Sequence, residues 1–134
     1  MHVTGHCHCG QISFEADIDP AKVGICHCTD CQVLSGTAYR ATVPTLPGTL
    51  KLTGNLSTYL KVADSGTRRR QAFCPTCGSP IYATSDEDKP SVFGLRIGAL
   101  DQRAELAPRR QIWCRSALPW SQDVKDLPQV EQQP

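Results

Sequence analysis

The sequence predicts a mainly β domain. Three observations carry that reading. Ten glycines and ten prolines break the 134 residues into strand-length pieces. Helical periodicity is nearly absent, whereas short alternating runs bounded by Gly, Pro and Asp recur. Seven of the eight cysteines fall in tight clusters, Cys7/Cys9, Cys26/Cys28/Cys31 and Cys74/Cys77, with Cys114 alone. Such spacings aim several thiolates at one point, as a tetrahedral zinc ion requires. A mainly β domain that binds zinc is therefore expected.

The elements follow in order. Gln11 to Ala16 alternates, placing Ile12, Phe14 and Ala16 on one face of a strand. Thr29 to Leu34 is the one helical turn of note, with Asp30 or Thr29 as its cap. Thr37 to Val43, Leu56 to Val62, Ser79 to Thr84, Ser91 to Ile97 and Arg110 to Arg115 also read as strands. Asp101 to Ala107 adds a turn before Pro108. Trp113 and Trp120 are expected to pack the core, and Cys114, in an apolar strand, to be a buried free thiol. Residues 1–120 read as a single zinc-binding domain and 121–134 as a polar, loosely ordered tail.

Bulk properties exclude several classes. A net charge of +1 gives no nucleic-acid footprint, and no apolar run approaches the roughly 20 residues that span a bilayer. A secreted, disulfide-stapled domain is the main rival to a metal protein, since eight cysteines can pair. After Met1 the chain reads His-Val-Thr-Gly, with no apolar stretch of a signal peptide. The length suffices for an unstapled core, and cysteines at C-x-C bridge poorly to each other. A reducing, cytoplasmic location is the expectation.

The clusters differ in chemistry. Residues two apart on a strand share a face, so Cys7 and Cys9 can offer two thiolates to one ion. Cys74 and Cys77 form a knuckle closed by Gly78, which permits a positive φ. Together they make a closed four-sulfur site, and closed sites are structural. Cys26, Cys28 and Cys31 supply three ligands within six residues, the pattern of an open, catalytic zinc. A fourth ligand, His27, His6 or Cys114, would instead close that site. His27 is the weakest of these, because adjacent residues in an extended chain face opposite ways. The basic run Arg68, Arg69, Arg70 reads either as a solvated turn or strand edge, or as a clamp for a substrate carboxylate; Arg96 is a second electrostatic candidate. No Ser-His-Asp set and no Gly-rich phosphate loop is signalled.

Four segments, G-H-C-H-C-G-Q-I-S-F-E, C-H-C-T-D-C-Q, F-C-P-T-C-G-S-P-I and R-R-Q-I-W-C-R-S-A-L-P-W, span Gly5 to Trp120. In this order they resemble the glutathione-dependent formaldehyde-activating family, which includes the centromere protein V-like proteins. The resemblance implies a β-tent of several antiparallel sheets. It implies a structural zinc on Cys7, Cys9, Cys74 and Cys77, and a catalytic zinc on Cys26, Cys28 and Cys31. It also implies a carbon–sulfur lyase joining formaldehyde to glutathione reversibly, as S-(hydroxymethyl)glutathione.

The resulting expectation is a zinc-dependent carbon–sulfur lyase whose partners are a small thiol, glutathione or similar, and an aldehyde. A thiolate-rich shell carries net negative charge, which calls for nearby positive charge or implies modest rates. Two rivals remain: a non-catalytic binding module with both metals structural, and a thiol redox or metal-sensing protein.

Overall fold

The computed structural model describes residues 1–133 and is mainly β. Its strands are β1 (His2–His6), β2 (Ser13–Asp17), β3 (Gly24–Cys26), β4 (Arg40–Pro44) and β5 (Lys51–Thr53), followed by β6 (Ser57–Val62), β7 (Arg68–Phe73), β8 (Pro80–Ser85), β9 (Phe93–Arg96) and β10 (Arg110–Ile112). An α-helix, α1 (Thr29–Ser35), lies between β3 and β4. The strands form a three-stranded sheet, β1-β2-β5, and a seven-stranded sheet, β10-β3-β4-β9-β8-β7-β6. Every pairing is antiparallel except β3 with β10, which is parallel. Isolated bridges, Gly5 to Leu100 and Ile18 to Thr45, tie the sheets together.

The core lies where the sheets face one another. Val3, Phe14, Ala16 and Ile18 come from the first sheet's side, and Val43, Ile81, Leu95 and Leu100 from the other. The alternation read for β2 holds: Phe14 and Ala16 are buried, while Ser13 and Glu15 are not. Cys7 and Cys74 are fully buried in the same cluster. One metal-ligand candidate from each end of the first group is thus part of the core.

The closest approach in this core is at Gly5. It pairs with Phe14 in the β1–β2 ladder, and a Cβ there would run into the Phe14 ring and lie 2.5 Å from the Ala99 carbonyl oxygen. Gly5→Ala should therefore cost about 1–3 kcal/mol, because the backbone oxygen cannot swing aside as a side chain would. Urea unfolding of the variant measures it; an unchanged midpoint would show that the sheets give way freely.

Several expectations need correction. The cap of α1 is neither Asp30 nor Thr29 but Cys28, whose Sγ accepts the Cys31 N–H at 3.3 Å. At the other end Gly36 closes the helix with φ 70°, the left-handed conformation a Cβ disfavours. The basic run forms β7, an interior strand between β6 and β8, rather than a turn or sheet edge. The last predicted strand stops at Ile112. Trp113 then takes φ 56°, and Cys114–Ser116 turn as a single 3-10 helix. Trp113, Trp120 and Cys114 are consequently exposed, not core. Beyond Ser116 no strand or helix occurs through residue 133, although Ser121 is buried and Gln122 donates to Gln111 Oε1 at 2.9 Å. Pro134, the end of the expected tail, lies outside the described residues. No helix is long and apolar enough to cross a membrane.

Candidate metal centres and the cleft beside them

Two knuckles build the first centre. Leaving β1, the chain turns at Cys7–Gly10: Gly10 N–H donates to Cys7 O at 3.1 Å, and Ile12 N–H reaches Cys7 Sγ at 3.2 Å. Between β7 and β8, Gly78 N–H donates to Cys74 O at 2.9 Å with φ 77°, and Cys77 N–H reaches Cys74 Sγ at 3.5 Å. Side-chain bonds join the knuckles. His8 N–H donates to Ser79 Oγ at 3.0 Å, and Thr76 Oγ1 donates to Gln11 Oε1 at 2.5 Å. The sulfurs of Cys7, Cys9, Cys74 and Cys77 all lie within 4.8 Å of one another. Cys7 and Cys9 are 3.6 Å apart and Cys9 and Cys74 are 3.8 Å apart. Four ligands at a zinc–sulfur distance of about 2.3 Å form a tetrahedron with an edge of about 3.8 Å. The donor set and its spacing fit that ion.

Electrostatics agree. Four thiols this close cannot all ionise alone, so they share charge unevenly. Ser79, by its hydroxyl 3.2 Å from the sulfur and by its backbone, holds the Cys77 thiol down at about 5. For Cys9 the Gln11 backbone bond favours the thiolate, but desolvation and the three neighbouring thiols outweigh it and push the group up to about 11. A divalent cation would remove that conflict.

The second centre is local. Cys26 ends β3, Cys28 caps α1 and Cys31 sits in its first turn, so one strand-to-helix corner gathers three sulfurs within 4.8 Å. All three are partly exposed. His27, between them, points away as expected: it is buried, its Nε2 lies 2.7 Å from Gln111 Oε1, and its ring packs edge-on against Tyr39. Among the described residues no histidine, carboxylate or further cysteine joins this trio within the same distance. His27, His6 and Cys114 are thus not part of it. Burial, then the thiols of Cys28 and Cys26, push Cys31 up to about 12. Burial also opposes ionisation of Cys28, but the Cys31 N–H, the other two thiols and the Lys61 charge prevail and lower it. Cys28 is the sulfur of the trio held as thiolate most readily.

A cleft of about 520 Å³ is lined by sequence neighbours of both centres, though by none of the seven cysteines themselves. His6, His8 and Ser79, neighbours of the first centre, line one side; Ser35, Tyr39 and Arg40, neighbours of the second, line another. Its size falls in the range of small-molecule sites, roughly 300–1,000 Å³. The sequence-level electrostatic candidates divide here. Arg96 lines the cleft. Arg68 and Arg70 instead pair with Asp86, at 2.9 and 3.3 Å, and Arg70 also donates to the Glu87 carbonyl. Gln71, which accepts from both Arg40 and Arg96, carries no signal in the sequence. Arg40 had one signal: a charged residue inside an otherwise apolar strand pattern, Thr37 to Val43.

Residues 2–116 match the pattern of the family described as "Glutathione-dependent formaldehyde-activating enzyme". The chain belongs to that family. It is also similar to a Schizosaccharomyces pombe protein named as an uncharacterized lyase, with 26% identity over 89 residues. That match covers 66% of this chain and 62% of the relative, so the chain spans about three fifths of the relative's length. Among solved structures it resembles a crystal structure of a Rhodobacter sphaeroides protein, with a TM-score of 0.61 and 22% identity over 81% of this chain and 98% of the other. At that identity the likeness concerns the fold.

Proposed function

We propose that this chain is a zinc-dependent carbon–sulfur lyase acting on the adduct of a small thiol and an aldehyde, of the S-(hydroxymethyl)glutathione kind. Family membership supports the class. The observation that carries the reading is the trio Cys26, Cys28 and Cys31, three convergent sulfurs that no further Cys, His, Asp or Glu joins among the described residues, near a cleft of substrate size lined by their neighbours. A zinc ion on these three would supply Lewis acidity that keeps a substrate thiol ionised at neutral pH. Cys7, Cys9, Cys74 and Cys77 form a closed set, two of them in the core, and are read as structural ligands.

The protein's own residues prepare the site. The Cys31 N–H, the other two thiols and Lys61 favour the Cys28 thiolate. Arg40, buried, faces Cys26 across the β3–β4 ladder. These cations offset the negative charge that a thiolate-rich shell accumulates, which answers the need raised by the sequence. The cleft has room for such an adduct. In cleavage the carbon–sulfur electron pair stays on sulfur, the hydroxyl proton passes to solvent as the carbon–oxygen double bond forms, and the carbon leaves as aldehyde.

The test is turnover of S-(hydroxymethyl)glutathione, followed as formaldehyde release by zinc-loaded protein. A rate at least a hundredfold above that of buffer containing equal zinc is expected. Equality of the two rates would defeat the proposal.

A further inference from the structure

A second cavity, of about 810 Å³, is bounded by β3, by β10 with the residues before it, and by the segment after Ser116. It shares only Tyr39 with the cleft described above. Its charge is one-sided. Arg109, Arg110 and Lys125 line it, and no aspartate or glutamate does. None of these three cations is in an ion pair among the described residues, whereas Lys61 pairs with Asp30, and Arg68 and Arg70 share Asp86. Arg115, nearby in sequence, is engaged over the Trp113 ring at 5.0 Å. Like charges gathered in one concavity focus a positive field into it.

The fold fixes both walls. Arg109 N–H donates to Val23 O at 2.9 Å, and Arg110 opens β10 opposite Gly24 of β3. A Cβ at Gly24 would come to 3.3 Å from Arg110 Cγ and Nε, so the glycine leaves the arginine side chain its place against β3. On the other wall, Gln122 Nε2 donates to Gln111 Oε1 at 2.9 Å and ties the later segment to β10. Ser121, which also lines the cavity, is 9% exposed, and its Oγ is buried with no hydrogen-bond partner among the described residues. An unpartnered buried hydroxyl is unfavourable. Its place in a cationic wall points to an acceptor supplied by a ligand.

We propose that this cavity binds a small phosphate monoester, with Arg109, Arg110 and Lys125 on the phosphate and Ser121 donating to one of its oxygens. A phosphate monoester carries a charge of about −1.5 to −2 at pH 7, so it offsets more of three cations than a single carboxylate does. Its three terminal oxygens accept from groups on both walls, and guanidinium forks match them in pairs. The volume leaves room for the organic part of a small ligand. None of the seven clustered cysteines lines the cavity, so the site stands apart from the lyase reading.

The experiment titrates zinc-loaded full-length protein calorimetrically with glycerol 3-phosphate, and with succinate as a dianion of different geometry. Wild type should bind the phosphate ester at least tenfold more tightly than succinate. Arg110→Gln and Lys125→Gln should each weaken it at least fivefold, and Ser121→Ala at least threefold. Arg68→Gln, which removes one positive charge outside the cavity, should leave it within twofold. The Lys125 side chain makes no hydrogen bond or ion pair among the described residues, so Lys125→Gln keeps the test if Arg110→Gln does not fold. Cys114 supplies a second readout, since its thiol is exposed and lines the cavity. Saturating ester should slow its alkylation by iodoacetamide at least threefold, followed by mass spectrometry of the Cys114 peptide. Absence of saturable binding would overturn the proposal, as would equal affinity for succinate. Weakening by Arg68→Gln as large as that by Lys125→Gln would reduce the effect to net charge and overturn it too. Unchanged alkylation would place the ester elsewhere, with the same consequence. Formaldehyde release enters none of these measurements, so the site and the lyase reading fail separately.

Discussion

Cys74→Ser should leave a protein that does not hold its fold. Its sulfur is fully buried within the hydrophobic core and stands 3.8 Å from that of Cys9, 65 residues away in sequence. The four sulfurs tie the β1–β2 turn to the β7–β8 turn, and so one sheet to the other. Closing so long a loop removes much unfolded-state freedom, and structural zinc contributes about 10–16 kcal/mol in small peptides. The net stability of a domain is only about 5–15 kcal/mol, so the ion's contribution is as large as the whole margin. The expected outcome is loss of one zinc per chain together with loss of cooperative melting. Cys114→Ser is the control: that thiol is exposed and outside both groups, and its replacement should change stability by less than about 0.5 kcal/mol. A soluble Cys74→Ser protein with wild-type melting and full zinc content would contradict the structural role.

Local signals were legible in the sequence, and non-local ones were not. C-x-C and C-x-x-C are short enough for backbone geometry to decide where the sulfurs point, and the structure gathers the same seven cysteines. The alternation of β2 was equally plain, since one of its faces meets the core. Three successive arginines read as solvated, yet β7 is a strand because β6 and β8 pair with it on both sides and Asp86 pairs with Arg68 and Arg70. Trp113 and Trp120 read as core residues in the sequence, whereas the left-handed backbone at Trp113 ends β10 and both side chains are exposed. Cys28 carries no cap signal in the sequence because sulfur is an unusual cap; it accepts the Cys31 N–H by the same bond that favours its thiolate. The cleft was invisible. Arg40 and Gln71 are 31 residues apart, His27 and Gln111 are 84 apart, and only the strand order β3-β4-β9-β8-β7, with the parallel partner β10, brings them to one place.

Cys28→Ser should separate the two centres and abolish turnover while sparing the fold. Its three-sulfur group is contained in a six-residue segment, so it closes a short loop and holds little of the chain together. Cys26, Cys28 and Cys31 are partly exposed, unlike buried Cys7 and Cys74. A serine oxygen can still cap α1, because hydroxyls accept from a first-turn N–H as well as sulfur does, so the helix should persist. The substitution removes the sulfur most readily held as thiolate, and with it the affinity for a cation on the remaining two. The expected result is loss of at most one zinc per chain, a melting transition displaced by only a few degrees, and at least a thousandfold drop in formaldehyde release. Unfolding as complete as that of Cys74→Ser would show the trio to be structural and favour a binding module. Retained turnover would remove these three cysteines from the chemistry. If instead wild type lost and regained zinc at this corner alone under mild oxidation and reduction, with no lyase activity in either state, the trio would be a redox sensor.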